Sequence, residues 1–184
     1  MDLVAELDAY VPRTDEEAAD LERARTVARR ADPWSRAEPL HVTGSAVVVH
    51  PPTGRVLLRW HERMGTWLHV GGHVDPEDGD ALAAARREGR EETGLDDLVP
   101  WPDADRPCLL HVVVVPVPPG RGEPAHEHAD VRYLLATASP DDATPERPSA
   151  PLRWLPVGDA IEAVGQDNLR ETLARVAGLL DGRE

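Results

Sequence analysis

The order of apolar and polar positions gives the chain helical ends and a β-rich centre. Residues 1–40 read as helical: Leu3, Val4 and Leu7 make a short apolar stripe. Thr14 and Glu17 form a capping-box pair ahead of Ala18, Leu21, Ala24, Val27 and Ala28 at helical spacing. Asp32-Pro33-Trp34 ends that pattern, so residues 1–40 are expected to form a helical extension packed on a domain of residues 41–184. Residues 41–50 predict a buried strand stopped by Pro51-Pro52. Thr53-Gly54 makes a turn into a second strand over 55–60, hence a hairpin, and Met64-Gly65 leads to a short strand over 67–70. Residues 109–117 are the longest β-branched run and predict a central strand, followed by a flexible loop over 118–129 and a strand over 130–138. A surface loop over 139–151, a short strand from Arg153 and a helical turn over 159–164 come next. Asn168 with Glu171 reads as a second capping box, opening a helix with Leu169, Leu173, Val176 and Leu180 on one face. No repeat and no separating linker interrupts the 184 residues, which is the size of one domain.

The chemistry concentrates in residues 71–95, GGHVDPEDGDALAAARREGREETGL. Asp80 suits an N-cap for the helix-favouring run after it, and Gly94 suits a left-handed stop. Glu88, Glu91 and Glu92 then share one helix face and repel one another. Arg87 relieves part of that repulsion, and Mg²⁺ or Mn²⁺ would relieve more by taking carboxylate oxygens. Taken alone, such a charge run reads equally as a solvated helix face.

With its flanks, the stretch resembles the Nudix box, G-x5-E-x7-R-E-U-x-E-E-x-G-U with U aliphatic, at Arg87, Glu88, Glu91, Glu92, Gly94 and Leu95. The resemblance implies an α/β fold, the Nudix α/β/α sandwich with a mixed sheet. It also implies metal-dependent hydrolysis of a pyrophosphate bond in a nucleoside diphosphate linked to another moiety. It assigns the metal to Glu88, Glu92, Glu91 and the Gly71 carbonyl, and makes Arg87 the residue that orients the glutamates. The general base would be Glu91 or an acid from a loop outside the box, for which Glu127 is the candidate and Glu123 the reserve. Three departures stand out. The span from Gly72 to Arg87 is one residue longer than the pattern; Gly79 occupies the first glutamate position, with Glu77, Asp78 and Asp80 nearby; and Gly89 replaces an aliphatic residue. They put the loop before the helix in question more than the metal ligands.

A net charge of −14 argues against nonspecific binding to nucleic acid. Every basic residue is arginine, which fits a high-GC coding bias. A single cysteine, Cys108, allows no internal disulfide, and no apolar run is long enough for a membrane span. With an acidic start unlike a signal peptide, these features place the protein in the cytoplasm.

Outside the box, Arg59 and Arg63 flank His61 and could meet phosphates; surface arginines are the plain alternative. Trp60 and Trp67 could stack on a base but equally fill a core. His69, two residues before Gly71, could reach the same cleft. His126-x-His128-x-Asp130 puts three polar groups on one side of a strand. They read as a substrate-binding edge, a transition-metal site or an exposed histidine pair. The markers of the ADP-ribose, dinucleotide-polyphosphate and coenzyme A subgroups are missing, so the substrate stays open. A nucleotide sensor on the same fold, without turnover, is the competing reading. An isopentenyl-diphosphate isomerase relative would need a strand cysteine that Cys108 does not match. Dimerisation is common in the fold, and nothing in the sequence specifies it.

Overall fold

The computed structural model describes residues 2–120 and 124–182, so Glu123 lies outside the described residues. Helices α1 (Leu3–Ala9) and α2 (Asp15–Ala28) precede strand β1 (Leu40–His50). Strands β2 (Arg55–His61), β3 (Thr66–Leu68) and β4 (Val70–His73) lead to helix α3 (Ala81–Thr93). Strands β5 (Val99–Pro100), β6 (Cys108–Val117), β7 (His126–Ala136) and β8 (Leu152–Pro156) follow, and helices α4 (Val157–Ala163) and α5 (Asp167–Leu180) close the fold. Among the described residues no helix is long and apolar enough to cross a membrane.

The strands make one mixed sheet in the order β3-β2-β1-β7-β5, with β4 on β1, β6 on β7 and β8 on β2. Strands β1 and β7 pair in parallel, and the other pairings are antiparallel. Alternation sends Val42, Ala46 and Val48 of β1 into a core shared with α1, α2 and α3. Val47 and Val49 enter a second core shared with α4 and α5. This is the three-layer α/β/α arrangement that the box resemblance implies.

The second face changes character halfway along its strands. Leu134 and Ala136 of β7 join Val47 and Val49 beneath α4 and α5. Further back on the same face stand His41, Thr43 and Ser45 of β1, in register with His128, Asp130 and Arg132 of β7. Of this polar half, Thr43, Ser45, His128, Asp130 and Arg132 line a cleft, and the apolar half anchors it.

Three sequence expectations change. The β-branched run is not central: among the described residues β6 pairs only with β7, and α2 covers its other side, where Asp20 accepts a 2.8 Å hydrogen bond from the Val114 amide. An edge strand sealed by a helix is buried like an interior one, which explains the misleading composition. The flexible loop is shorter than expected, because β7 begins at His126, four residues before Asp130. Asn168 is not a cap: α5 starts at Asp167 behind Gln166, with no side-chain cap. The Asn168 side chain instead accepts from Arg132 Nη2 at 3.1 Å, and Glu171 pairs with Arg175.

The first capping box is half observed. Thr14 accepts from the Glu17 amide at 3.1 Å, but the Glu17 carboxylate turns inward to Arg175 of α5, at 2.7 and 2.9 Å. The Arg13 amide at 2.6 Å and the Tyr10 hydroxyl complete its partners. Burial pushes the Glu17 carboxyl up, yet these donors together take it down to about 2. His111 lies 3.7 Å away; burial, with Arg132 and Arg175, holds it down to about 3.

Both groups make the fold acid-sensitive. Below the unfolded histidine value of 6.5 the unfolded chain gains a proton that folded His111 refuses until about 3. Below 4.5 the unfolded chain also protonates Glu17, which the folded chain resists until about 2. Stability should therefore fall as pH drops below neutral and fall faster below 4.5. Melting temperatures across pH 8 to 3 check this, and His111→Gln should flatten the upper part of the decline.

Candidate active site

Strand pairing breaks at His69 and resumes at Val70, bringing Gly71 and Gly72 against Ser45 and Gly44 of β1. Gly71 has φ 146°, and a Cβ there would stand 2.5 Å from the Ser45 Cα. A Cβ on Gly72 would stand 2.5 Å from Glu88 Oε1, so the missing side chain is the space the carboxylate occupies.

Helix α3 forms as its sequence dictates. The Asp80 side chain accepts from the Ala83 amide at 2.8 Å, and Gly94 closes the helix at φ 70°. Ala81, Ala84, Ala85 and Gly89 are its buried side. Gly89 lies against Leu98, which accounts for a small residue where the family pattern has an aliphatic one. Glu88 and Glu92 are one turn apart and turn toward β4. Glu92 accepts from the Gly71 amide at 3.2 Å and pairs with Arg59 at 3.1 Å. Glu91 is more exposed and meets Arg87 at 3.2 Å.

Arg87 organises the loop. It makes two 2.9 Å bonds to Asp78, a third of 2.9 Å to the His73 carbonyl, and one of 3.0 Å to Glu88. Asp78 thus provides the acid that the box pattern appeared to lack at Gly79. The extra loop residue is absorbed, and the arginine still bridges the loop to the glutamates.

The site carries more negative charge than it neutralises. Burial raises the Glu92 carboxyl to about 7, against the pull of Arg59 and the Gly71 amide and with help from Glu88 and Glu146. Burial also raises Glu88, opposed by Arg87 and reinforced by Glu91 and Asp75. Oxygen donors held together at such cost fit a hard divalent cation.

These groups open onto a cleft of about 320 Å³ that contains Gly71, Gly72 and Glu92. Its floor centres on Asp130, which accepts from Thr43 at 3.0 Å, Ser45 at 2.6 Å and Arg132 at 2.8 Å, with His69 at 3.3 Å. Burial would raise Asp130, but His69 and Arg132 hold it far below the usual carboxylate range. Burial, helped by Arg132, lowers His69 against the pull of Asp130, so the ring is neutral. Its Nε2–H then faces Asp130, and its Nδ1 is a buried acceptor with no hydrogen-bond partner among the described residues.

Arg59, His69, His126 and His128, expected from the sequence as substrate contacts, all line this cleft. Arg59 is not a surface arginine: it is buried and divided between Glu92 and, at 3.2 Å, Glu146. Burial, with His73 and His41, holds His128 down to about 3, so it is neutral. Glu127 is not brought to the cleft. It follows His126 in β7, points to the opposite face and pairs with Arg23 of α2 at 2.5 Å. The sequence does not single out His41, which packs on the rings of His126 and His128, His73, which meets His128 edge-on, or Glu146 as an Arg59 partner. The alternation of β1 pointed His41 toward the cleft face, but the pairing that joins the four rings could not be read locally.

A family model described as NUDIX domain matches residues 40–176. The chain belongs to the Nudix family. Its enzyme class follows: it is a Nudix-type pyrophosphohydrolase. No curated protein matches the chain. Among solved structures, a Caenorhabditis elegans Ap4A hydrolase binary complex is similar at 21% identity and TM-score 0.58, covering 76% of this chain and 97% of that one. A Nudix-family hydrolase from Clostridium perfringens is 25% identical with TM-score 0.56, covering 78% and 98%. An Escherichia coli dihydroneopterin triphosphate pyrophosphohydrolase is 18% identical with TM-score 0.53, covering 75% and 94%. Similarity at this level speaks for the Nudix fold.

Proposed function

We propose that the protein hydrolyses a pyrophosphate bond in a nucleoside diphosphate linked to another moiety, with Mg²⁺ or Mn²⁺ held by Glu88, Glu92, Glu91 and the Gly71 carbonyl. The observation that carries this reading is the pair of half-buried, under-neutralised carboxylates, Glu88 and Glu92, seated against the glycine pair where Glu92 and Gly71 meet the cleft. When bound, the metal offsets charge on the phosphate oxygens and makes a coordinated water acidic.

The chain's own residues do the rest. Arg87 fixes the carboxylates through Asp78 and the His73 carbonyl. Arg59 keeps Glu92 turned toward Gly71 and offers its remaining hydrogen-bonding capacity to a phosphate oxygen, since its Nε has no partner among the described residues. Met64, Leu68, Val115 and Val117 give the cleft an apolar wall suited to a base. The neutral His69 accepts a hydrogen bond from a substrate hydroxyl at Nδ1. Glu91, the least buried of the three helix glutamates, takes the proton of the attacking water and exchanges it with solvent.

The test is release of nucleoside monophosphate with its phosphate-bearing co-product, with Mg²⁺ or Mn²⁺: pyrophosphate from nucleoside triphosphates, a sugar phosphate from nucleotide sugars, ribose phosphate from ADP-ribose, or a second nucleotide from dinucleotide polyphosphates. Turnover of one class, abolished by chelation, is expected. Nucleotide binding without turnover of any substrate would overturn the reading in favour of a sensor.

A further inference from the structure

A second cluster of metal-ligating groups lies on the cleft face, apart from the glutamates. His41 of β1 stands opposite His128 of β7, His126 precedes it on the same face, and His73 of β4 stands opposite Thr43. The rings pack on one another, with centroids 4.9 Å apart for His41–His128, His73–His128 and His126–His128, and 5.2 Å for His41–His73. One ring nitrogen from each of the four lies within 4.8 Å of the others. The Nε2 atoms of His126 and His128 are 3.1 Å apart. Two nitrogens on one tetrahedral zinc stand about 3.4 Å apart, given Zn–N bonds of about 2.0–2.1 Å.

Two of the rings are already oriented. His41 Nδ1 donates to the Glu38 carbonyl at 3.1 Å, and His126 Nδ1 donates to the Pro124 carbonyl at 2.9 Å. A carbonyl can only accept, so in both rings the proton is on Nδ1 and the lone pair on Nε2. Ligand histidines are commonly held this way, by a hydrogen bond from the other ring nitrogen. The donor set is all imidazole. It suits a zinc-like transition ion and not Mg²⁺, which prefers the oxygen set on α3.

We propose that His41, His73, His126 and His128 form a binding site for a divalent transition-metal ion, zinc by its chemistry, distinct from the carboxylate site of the box. The other cluster with metal spacing, Glu17, His111 and Glu171, is closed by the Arg175 guanidinium, which bonds both glutamates. The His73 carbonyl is also gripped by Arg87, so an ion on its ring would tie the loop before α3 to β1 and β7.

The proposal does not depend on turnover, and its test reads binding alone. The chelator-stripped full chain is titrated with Co²⁺ and then with Zn²⁺. The expected result is an intense visible band of four-coordinate Co²⁺ at one equivalent, displaced by Zn²⁺ and insensitive to excess Mg²⁺. His126→Gln should weaken Zn²⁺ binding by at least about 100-fold, since loss of a ligand exceeds loss of a supporting partner. Glu92→Gln should leave it unchanged. Absence of the band, its survival in His126→Gln, or its loss in Glu92→Gln would overturn the proposal. Nitrogen hyperfine structure of bound Cu²⁺ in the unaltered protein gives a check that needs no variant: four equivalent imidazoles support the site, and none overturns it.

Discussion

Glu92→Gln should lower turnover by at least about 100-fold while the protein stays folded. Glutamine keeps the shape, and its carbonyl oxygen can still accept from the Gly71 amide. What disappears is the charge that balances Arg59 and, in the proposed site, would hold the cation. The same change removes a carboxylate that burial makes uncomfortable in the metal-free protein. The variant should therefore melt no lower than the unaltered protein without metal. Added Mg²⁺ should raise the melting temperature of the unaltered protein and not of the variant. Activity by nucleoside monophosphate release and melting with and without Mg²⁺ measure both halves. Full turnover in Glu92→Gln would remove Glu92 from the metal site.

Gly44→Ala should damage both fold and activity without touching a charged group. Its Cβ would lie 2.2 Å from the Ala81 carbonyl oxygen and 3.0 Å from the Ala81 carbonyl carbon. Both are backbone atoms of the first residue of α3, so no rotamer change relieves the clash. Either β1 bends or α3 lifts from the sheet. Overpacking a core costs about 1–3 kcal/mol, and a clash with backbone belongs at the upper end. A chain of this size loses about 2–4 °C of melting temperature per kcal/mol, so a drop near 10 °C is expected. Turnover should fall too, because α3 carries Glu88 and Glu92 on the side facing Gly71 and Gly72. Circular-dichroism melts and nucleoside monophosphate release check the pair; a variant with unchanged melting would mean the helix sits farther from the strand.

Local signals carried most of the site. The helix with Asp80 and Gly94 at its ends follows from propensities and caps within fifteen residues, and its structure matches. The Asp78 contact was legible only in part. The acids near Gly79 could be seen, but which of them reaches Arg87 depends on the path of the loop. Glu127 shows the opposite failure. Treated as loop, it had no fixed direction; once β7 begins at His126, alternation turns it to α2 while His126 and His128 face the cleft. His41 and His73 belong to strands separated from β7 in sequence, and only the pairing of β1 with β4 and β7 joins them. Composition misplaced β6 because a helix-sealed edge and an interior strand are equally dry.

The family match begins at residue 40, after α2 has ended. Yet Leu3, Leu7, Leu21 and Val27 belong to the same core as Val42 and Leu135 of the sheet. Glu17 supplies the counter-charge to Arg175 near the far end of the chain, and Asp20 caps the open edge at Val114. The border that resemblance draws is thus not expected to be a border of cooperative folding: the first two helices and the last one should melt as parts of a single unit, because what lies outside the family match shares the interior of what lies within it.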